Sequence, residues 1–152
     1  MALNDLRAQE RGVLIQIASM IMNSAKSLSS WSTKISSSFR ISEVTELPGG
    51  MMISVINNAP EAHAFEHGSG IHGETGETYI IQAVNAPFLV FPGTHEWEGQ
   101  TIRIPIVHHP GVGAKPFLNP AVEANRAQAI EMLKQAVGSS VKMTIREAWK
   151  RA

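Results

Sequence analysis

Over the first 28 positions, apolar residues recur at near-helical spacing. Leu3, Leu6, Val13, Leu14, Ile17, Ile21 and Leu28, with Glu10 among them, mark one mostly apolar face, which predicts a long N-terminal helix. Asn4 and Asp5 stand where an N-cap would help it start. The serine-rich stretch "SAKSLSSWSTK" predicts its end, because serine side chains compete for local backbone hydrogen bonds. The period then changes to two. In "KISSSFRISEV", Ile35, Phe39 and Ile41 fall on one side and Ser36, Ser38, Arg40 and Ser42 on the other, the signature of a half-buried strand. "LPGG" (47–50) reads as a turn and "MMISVINN" (51–58) as the returning strand, together a hairpin.

Pro60 suits the opening turn of a helix and Gly68 suits its C′ position, so "APEAHAFEHG" predicts a helix of about two turns. A Gly/Glu-rich loop leads on to "TYIIQAV", "PFLVFPG" and "TIRIPIV", three short strands interrupted by "THEWEGQ" as a loop or hairpin tip. "HHPGVGAKPFLNP" (108–120) is a proline-punctuated, extended connector. Asn119 and Pro120 then open a final helix as N-cap and first helical residue. Val122, Ile130, Leu133, Val137, Val141, Ile145 and Trp149 are expected to form its buried face, with a kink or break at Gly138-Ser139-Ser140. The expected fold is α+β: an antiparallel sheet packed against a long N-terminal and a long C-terminal helix, with one short helix between strands. One domain over 1–152 is expected, with extended loops at about 68–78, 92–100 and 108–118.

Composition narrows the chemistry. At 152 residues the chain can bury a core without metal or disulfide staples. It has no cysteine, which removes disulfides, thiolate zinc sites and cysteine nucleophiles together. No run of about 18 apolar residues is present, and the charged N-terminus does not read as an export signal. A soluble, cytosolically made product is therefore expected.

The formal net charge is zero, but the charges are segregated. Residues 1–40 carry five basic and two acidic side chains; residues 41–102 carry eight glutamates and no Lys or Arg; residues 103–152 carry eight basic and three acidic. One reading is chance in a small protein. The other is two surfaces of opposite sign that meet between copies of the chain, as head-to-tail contacts in a ring would require. No dense basic stripe with interleaved aromatics suggests nucleic-acid binding.

The stretch "HAFEHGSGIHG" (63–73) carries two catalytic-looking patterns. His63, Glu66 and His67 spell H-x-x-E-H, and on a helix the two imidazoles could face one metal with Glu66 as base. The helix is short, however, and no third protein ligand is signposted; the only aspartate, Asp5, is far away in sequence. Gly68, Gly70 and Gly73 spell G-x-G-x-x-G, but they neither follow a strand directly nor open a helix, and "ETGETY" puts acid where a phosphate would sit. Ser69 lacks nucleophile-elbow spacing. His108 and His109 point to opposite faces of an extended segment. Glu96 and Glu98 could pair as acid and base but read more simply as solvated loop charges. Lys142, Arg146 and Lys150 recur at i+4 and read either as a solvated face suited to a helix C-terminus or as a contact stripe for an acidic neighbour. No catalytic, cofactor-binding or metal-ligating residue is assigned.

Two segments taken in order carry a resemblance. "NAPEAHAFEHGSG" (58–70) matches a short helix ending A-x-x-x-E-x-G-[ST], and "RIPIVHHPGVGAKPFLNPAVEANRAQAIEML" (103–133) matches a V-x-HPG-x-x-A-x-PFL-x-PA segment leading into a last helix. Preceded by an N-terminal helix and a hairpin, they resemble the minor tail-component or tail-completion (neck, head–tail joining) proteins of long-tailed bacteriophages. The order matches over essentially the whole chain, while the motifs span about a third of it. The longer "APFLVFPGTHEWEGQ" section and the 63–67 histidines depart from the family's pattern. The resemblance implies a non-enzymatic virion protein forming a ring, six copies by analogy, that joins or completes the tail. Its partners would be other copies of itself and neck, connector or tail-tube proteins. DNA would pass through the lumen without specific binding, no membrane would be involved, and assembly would take place in the host cytoplasm. Carried over by residue, Glu66 and Gly68 belong to the helix-end motif; His109, Pro110, Gly111, Pro116, Phe117, Pro120 and Ala121 belong to the connector. The runner-up from another class is a small zinc-dependent hydrolase using His63, Glu66 and His67, and a third reading is an oligomeric adaptor unrelated to virions.

Overall fold

A computed structural model describes the backbone of residues 2–151 and the side-chain surroundings of residues 7–138. The fold is α+β, built from two long helices, short helical turns and antiparallel strand pairs. It divides into two compact units, one comprising residues 1–62 and 116–152, the other residues 63–115.

In the first unit, helix α1 (Ala2–Leu28) packs along helix α4 (Leu118–Arg151). Helix α1 begins at Ala2, so Asn4 and Asp5 lie within its first turns rather than capping it. It ends where the serines begin: Ser29 is fully buried, and its Oγ donates to the Ala25 carbonyl at 2.8 Å. The side chain thus takes up a carbonyl of the last turn, the competition expected of serine there.

The segment read as one alternating strand from Lys34 begins as a helix instead. Ser32 caps α2 (Thr33–Ser37) by accepting the Ile35 N–H, and only then does β1 (Phe39–Ile41) start. A serine N-cap followed by one helical turn competes locally with the strand period. Ile35 and Phe39 still both reach the core.

Strand β1 pairs antiparallel with β4 (Val55–Asn57), and β2 (Thr45–Leu47) with β3 (Gly50–Met52). The expected hairpin therefore forms, with Leu47 opposite Gly50 across a Pro48-Gly49 turn. Gly49 has φ +91°, as position i+2 of a type II turn requires. The ladder is interrupted at Ser42 and Ser54. The Ser54 N–H bonds the Ser42 Oγ at 2.9 Å rather than its carbonyl, so a side chain replaces one rung. The β1–β4 end of the ribbon packs on α1.

The helix pair corrects the expected burial of α4. Among the described residues its buried positions are Ala121 and Ala136. Val122, Ile130, Leu133 and Val137 are 38–52% exposed; Val141, Ile145 and Trp149 lie outside the residues whose side chains are described. The facing helix offers Ala18 and Ala25, also buried. Small side chains on both surfaces let the two backbones approach closely, so the alanine stripe faces inward and the larger aliphatic stripe outward. Asn125 crosses the seam, donating from Nδ2 to Ser24 Oγ at 2.8 Å. Helix α4 runs through Gly138 without a break in its secondary structure.

In the second unit, α3 (Ala62–His67) leads through a single 3-10 turn at Gly70–His72 into a second interrupted ribbon. Strand β5 (Tyr79–Gln82) pairs with β8 (Ile106–His109), and β6 (Leu89–Pro92) with β7 (Thr101–Ile104). The stretch "TIRIPIV", read as one strand, is split at Pro105, which has no N–H to continue a ladder. "THEWEGQ" is the ribbon tip, with a 3-10 turn at His95–Trp97. Among the described residues the strands thus form four two-stranded pieces rather than one sheet.

Candidate functional site

The two motif segments, some forty residues apart in sequence, meet in one backbone clasp within the second unit. Gly68 follows α3 with φ +79°, the left-handed geometry of a C′ glycine, as expected from sequence. Beyond it, the Ser69 N–H donates to the Val112 carbonyl at 2.9 Å and the Ile71 N–H to the Pro110 carbonyl at 2.8 Å. The Val112 N–H returns a bond to Ser69 Oγ at 3.1 Å. Lys115 N–H closes the lower edge on the Phe65 carbonyl at 2.6 Å.

Glycine is required where the strands of the clasp cross. Gly70 (φ +61°) and Gly111 (φ +93°) face each other so closely that a Cβ on Gly70 would lie 2.8 Å from the Gly111 Cα. A Cβ on Gly111 would press on the Ser69 carbonyl in turn. The G-x-G-x-x-G spacing is therefore a backbone-packing device, with no strand running directly into it and only the single 3-10 turn at Gly70–His72, not an α-helix, opening from it.

His109 anchors the other side. Its Nδ1 accepts the Gly111 N–H at 2.9 Å, and its ring packs on Tyr79, centroids 5.0 Å apart, directly across the β5–β8 pair. His108 is exposed while His109 is half-buried, so the adjacent histidines do take opposite faces. Glu66 is half-buried in the last turn of α3. The clasp thus brings together Gly68, His109, Pro110 and Gly111, while Glu66 stands in α3 next to Phe65, whose carbonyl Lys115 bonds.

Pro116 and Phe117 belong to the first unit. Phe117 is 2% exposed and meets Phe39 edge-on, ring centroids 5.7 Å apart, so it is a core residue of its own fold. Lys142, Arg146 and Lys150 lie outside the residues whose side chains are described. No sequence signal pointed to the Ser69–Val112 exchange, because a hydrogen bond between distant loops leaves no local period.

His63 and His67 lie one turn apart with tilted rings, centroids 4.8 Å apart, on an open depression of 790 Å³ also lined by His72 and Glu74. Among the described residues, no group of three His, Cys, Asp or Glu side chains comes together that could hold a metal ion. Among the same residues no helix is long and apolar enough to cross a membrane.

Two carboxylates in the first unit have clear electrostatic partners. The Glu46 carboxyl is held below its ordinary range by a hydrogen bond from Arg11 (2.7 Å) and by the nearby charge of Arg7. Glu61 is lowered by its hydrogen bond from Lys34 at 2.8 Å. The Arg11–Glu46 pair is exposed and the Lys34–Glu61 pair joins an exposed lysine to a half-buried glutamate, so both are surface ion pairs.

Compared with known proteins, the chain matches no family model, and neither curated sequences nor solved structures give a significant match.

Proposed function

We propose that this chain is a structural ring subunit of a bacteriophage virion, acting at the neck or tail end to join or complete the tail. The observation that carries the reading is the clasp: the two segments that carry the family resemblance are the same two that bond each other and share its crossing glycines. Sequence features separated by about forty residues belong together when they build one local structure, as these two segments do.

The charge pattern supports assembly from like copies. Residues 63–115 carry five glutamates against Arg103 and Lys115, a net −3; the remainder of the chain balances this at +3. A head-to-tail contact matches opposite signs, and such contacts close into rings. In a ring of this kind an acidic lumen would repel DNA phosphates and let the strand slide.

Two measurements test the proposal. Peptide mass spectrometry on purified particles from a host carrying the gene should find the chain as a stoichiometric virion component, and its absence from particles would refute the reading. Metal analysis of the purified protein should find no stoichiometric zinc. Tightly held zinc at one equivalent would favour the hydrolase reading, for which the proximity of the His63 and His67 rings is the supporting observation.

A further inference from the structure

Helix α3 carries two exposed imidazoles to one depression. His63 and His67 are a helical turn apart, which puts both on the same side of α3, and their tilted rings have centroids 4.8 Å apart. A divalent transition metal lies about 2.1 Å from a ligating imidazole nitrogen, and so about 3.2 Å from the ring centre. Two rings meeting at one such ion at roughly 90–110° therefore have centroids about 4.5–5.2 Å apart. The observed separation falls within that range. The turn that carries the pair is also anchored. The Lys115 N–H bonds the Phe65 carbonyl at 2.6 Å, and the Ser69 N–H bonds the Val112 carbonyl at 2.9 Å. A Cβ on Gly68 would strike the His72 carbonyl, so the turn carrying His72 lies directly against the end of α3. Ligands held on a built turn lose less freedom on chelation than ligands on a loose loop.

We infer that His63 and His67 chelate a divalent transition metal of borderline softness (Cu²⁺, Ni²⁺ or Zn²⁺) in an exchangeable, non-catalytic site on the second unit. Imidazole suits these ions, whereas Mg²⁺ and Ca²⁺ prefer oxygen ligands. Among the described residues no third side chain joins the pair, so water fills the remaining positions and the ion exchanges with solution. Catalytic zinc takes three protein ligands, which separates this site from the hydrolase reading. The inference stands apart from the ring reading, because it uses only the α3 end of the second unit.

Isothermal titration calorimetry tests it on the untagged full-length chain, dialysed first against EDTA and then into a non-coordinating buffer. Copper(II), nickel(II) and zinc(II) should each bind at one equivalent, copper tightest of the three, and magnesium should not bind. His63→Gln and His67→Gln should each weaken nickel binding by at least the roughly 10–100-fold that losing an outer-sphere partner costs. His108→Gln removes an exposed imidazole elsewhere in the same unit and should change nothing. Circular-dichroism melting checks that all three variants remain folded. Wild-type binding no tighter than that of the His63 and His67 variants overturns the inference and leaves the ring reading standing, as does an equal loss in His108→Gln. Magnesium binding as tight as nickel assigns the effect to carboxylates such as Glu74 and likewise overturns it. Zinc retained at one equivalent through the EDTA dialysis overturns exchange and counts against the ring reading, in favour of the hydrolase.

Discussion

Substituting Gly111 by alanine tests the clasp at its tightest point. Gly111 has φ +93°, and a Cβ there would run into the Ser69 carbonyl and approach the Gly70 Cα to 2.7 Å. The left-handed backbone alone costs an L-residue about 1–2 kcal/mol. The collision is with backbone, which cannot swing aside as a side-chain tip can, so the loops must part. Parting them endangers three bonds: Ser69 N–H to Val112, Ile71 N–H to Pro110 and Val112 N–H to Ser69 Oγ. At a net ~1 kcal/mol each, losing two or three brings the total to roughly 3–5 kcal/mol. Gly113 is the internal control, because a Cβ there meets nothing within 4 Å. Gly113→Ala should be neutral or slightly stabilising through the unfolded chain. Native-state hydrogen exchange is the assay: the Ser69, Ile71 and Val112 amides should lose protection in Gly111→Ala and keep it in Gly113→Ala. Equal protection in the two variants would refute the account of why glycine stands at 111.

Phe117→Ala should destabilise the helical unit by about 3–5 kcal/mol, the usual cost of emptying a buried aromatic site, since Phe117 is nearly fully buried against Phe39; urea unfolding followed by the circular dichroism of the helices measures it, and a loss under ~1 kcal/mol would contradict a core role. Glu46→Gln tests the surface ion pairs through pH. Because Arg11 and Arg7 lower the folded-state pKa of Glu46 below its ordinary 4.5, its stabilisation is fully present above that value and disappears as pH falls through the folded value. The variant should therefore melt slightly below wild type at neutral pH and low salt, and the two should converge in acid. A gap that persists in strong acid would assign the effect to packing instead.

The sequence was most readable where a local rule acted alone. The Pro48-Gly49 turn, the C′ glycine at 68 and the serine stop after Leu28 each follow from backbone preferences of a few neighbouring residues. Where two local rules competed, the reading failed: Ser32 as an N-cap drew residues 33–37 into a helix despite their strand-like alternation. Pro105 similarly divided a strand whose apolar pattern ran straight through it.

What the sequence alone determined, then, was the kind and order of the main elements, because helix and strand periods, caps and turns are properties of neighbouring residues. Only the tertiary structure decided which stripe of α4 faces inward. Over its described residues it is the alanine positions that are buried, against a helix that itself buries Ala18 and Ala25, and small side chains are those that permit close helix packing. The clasp was likewise a tertiary decision. Gly70 and Gly111 require each other only once two distant loops cross, and no reading along the chain contains that distance.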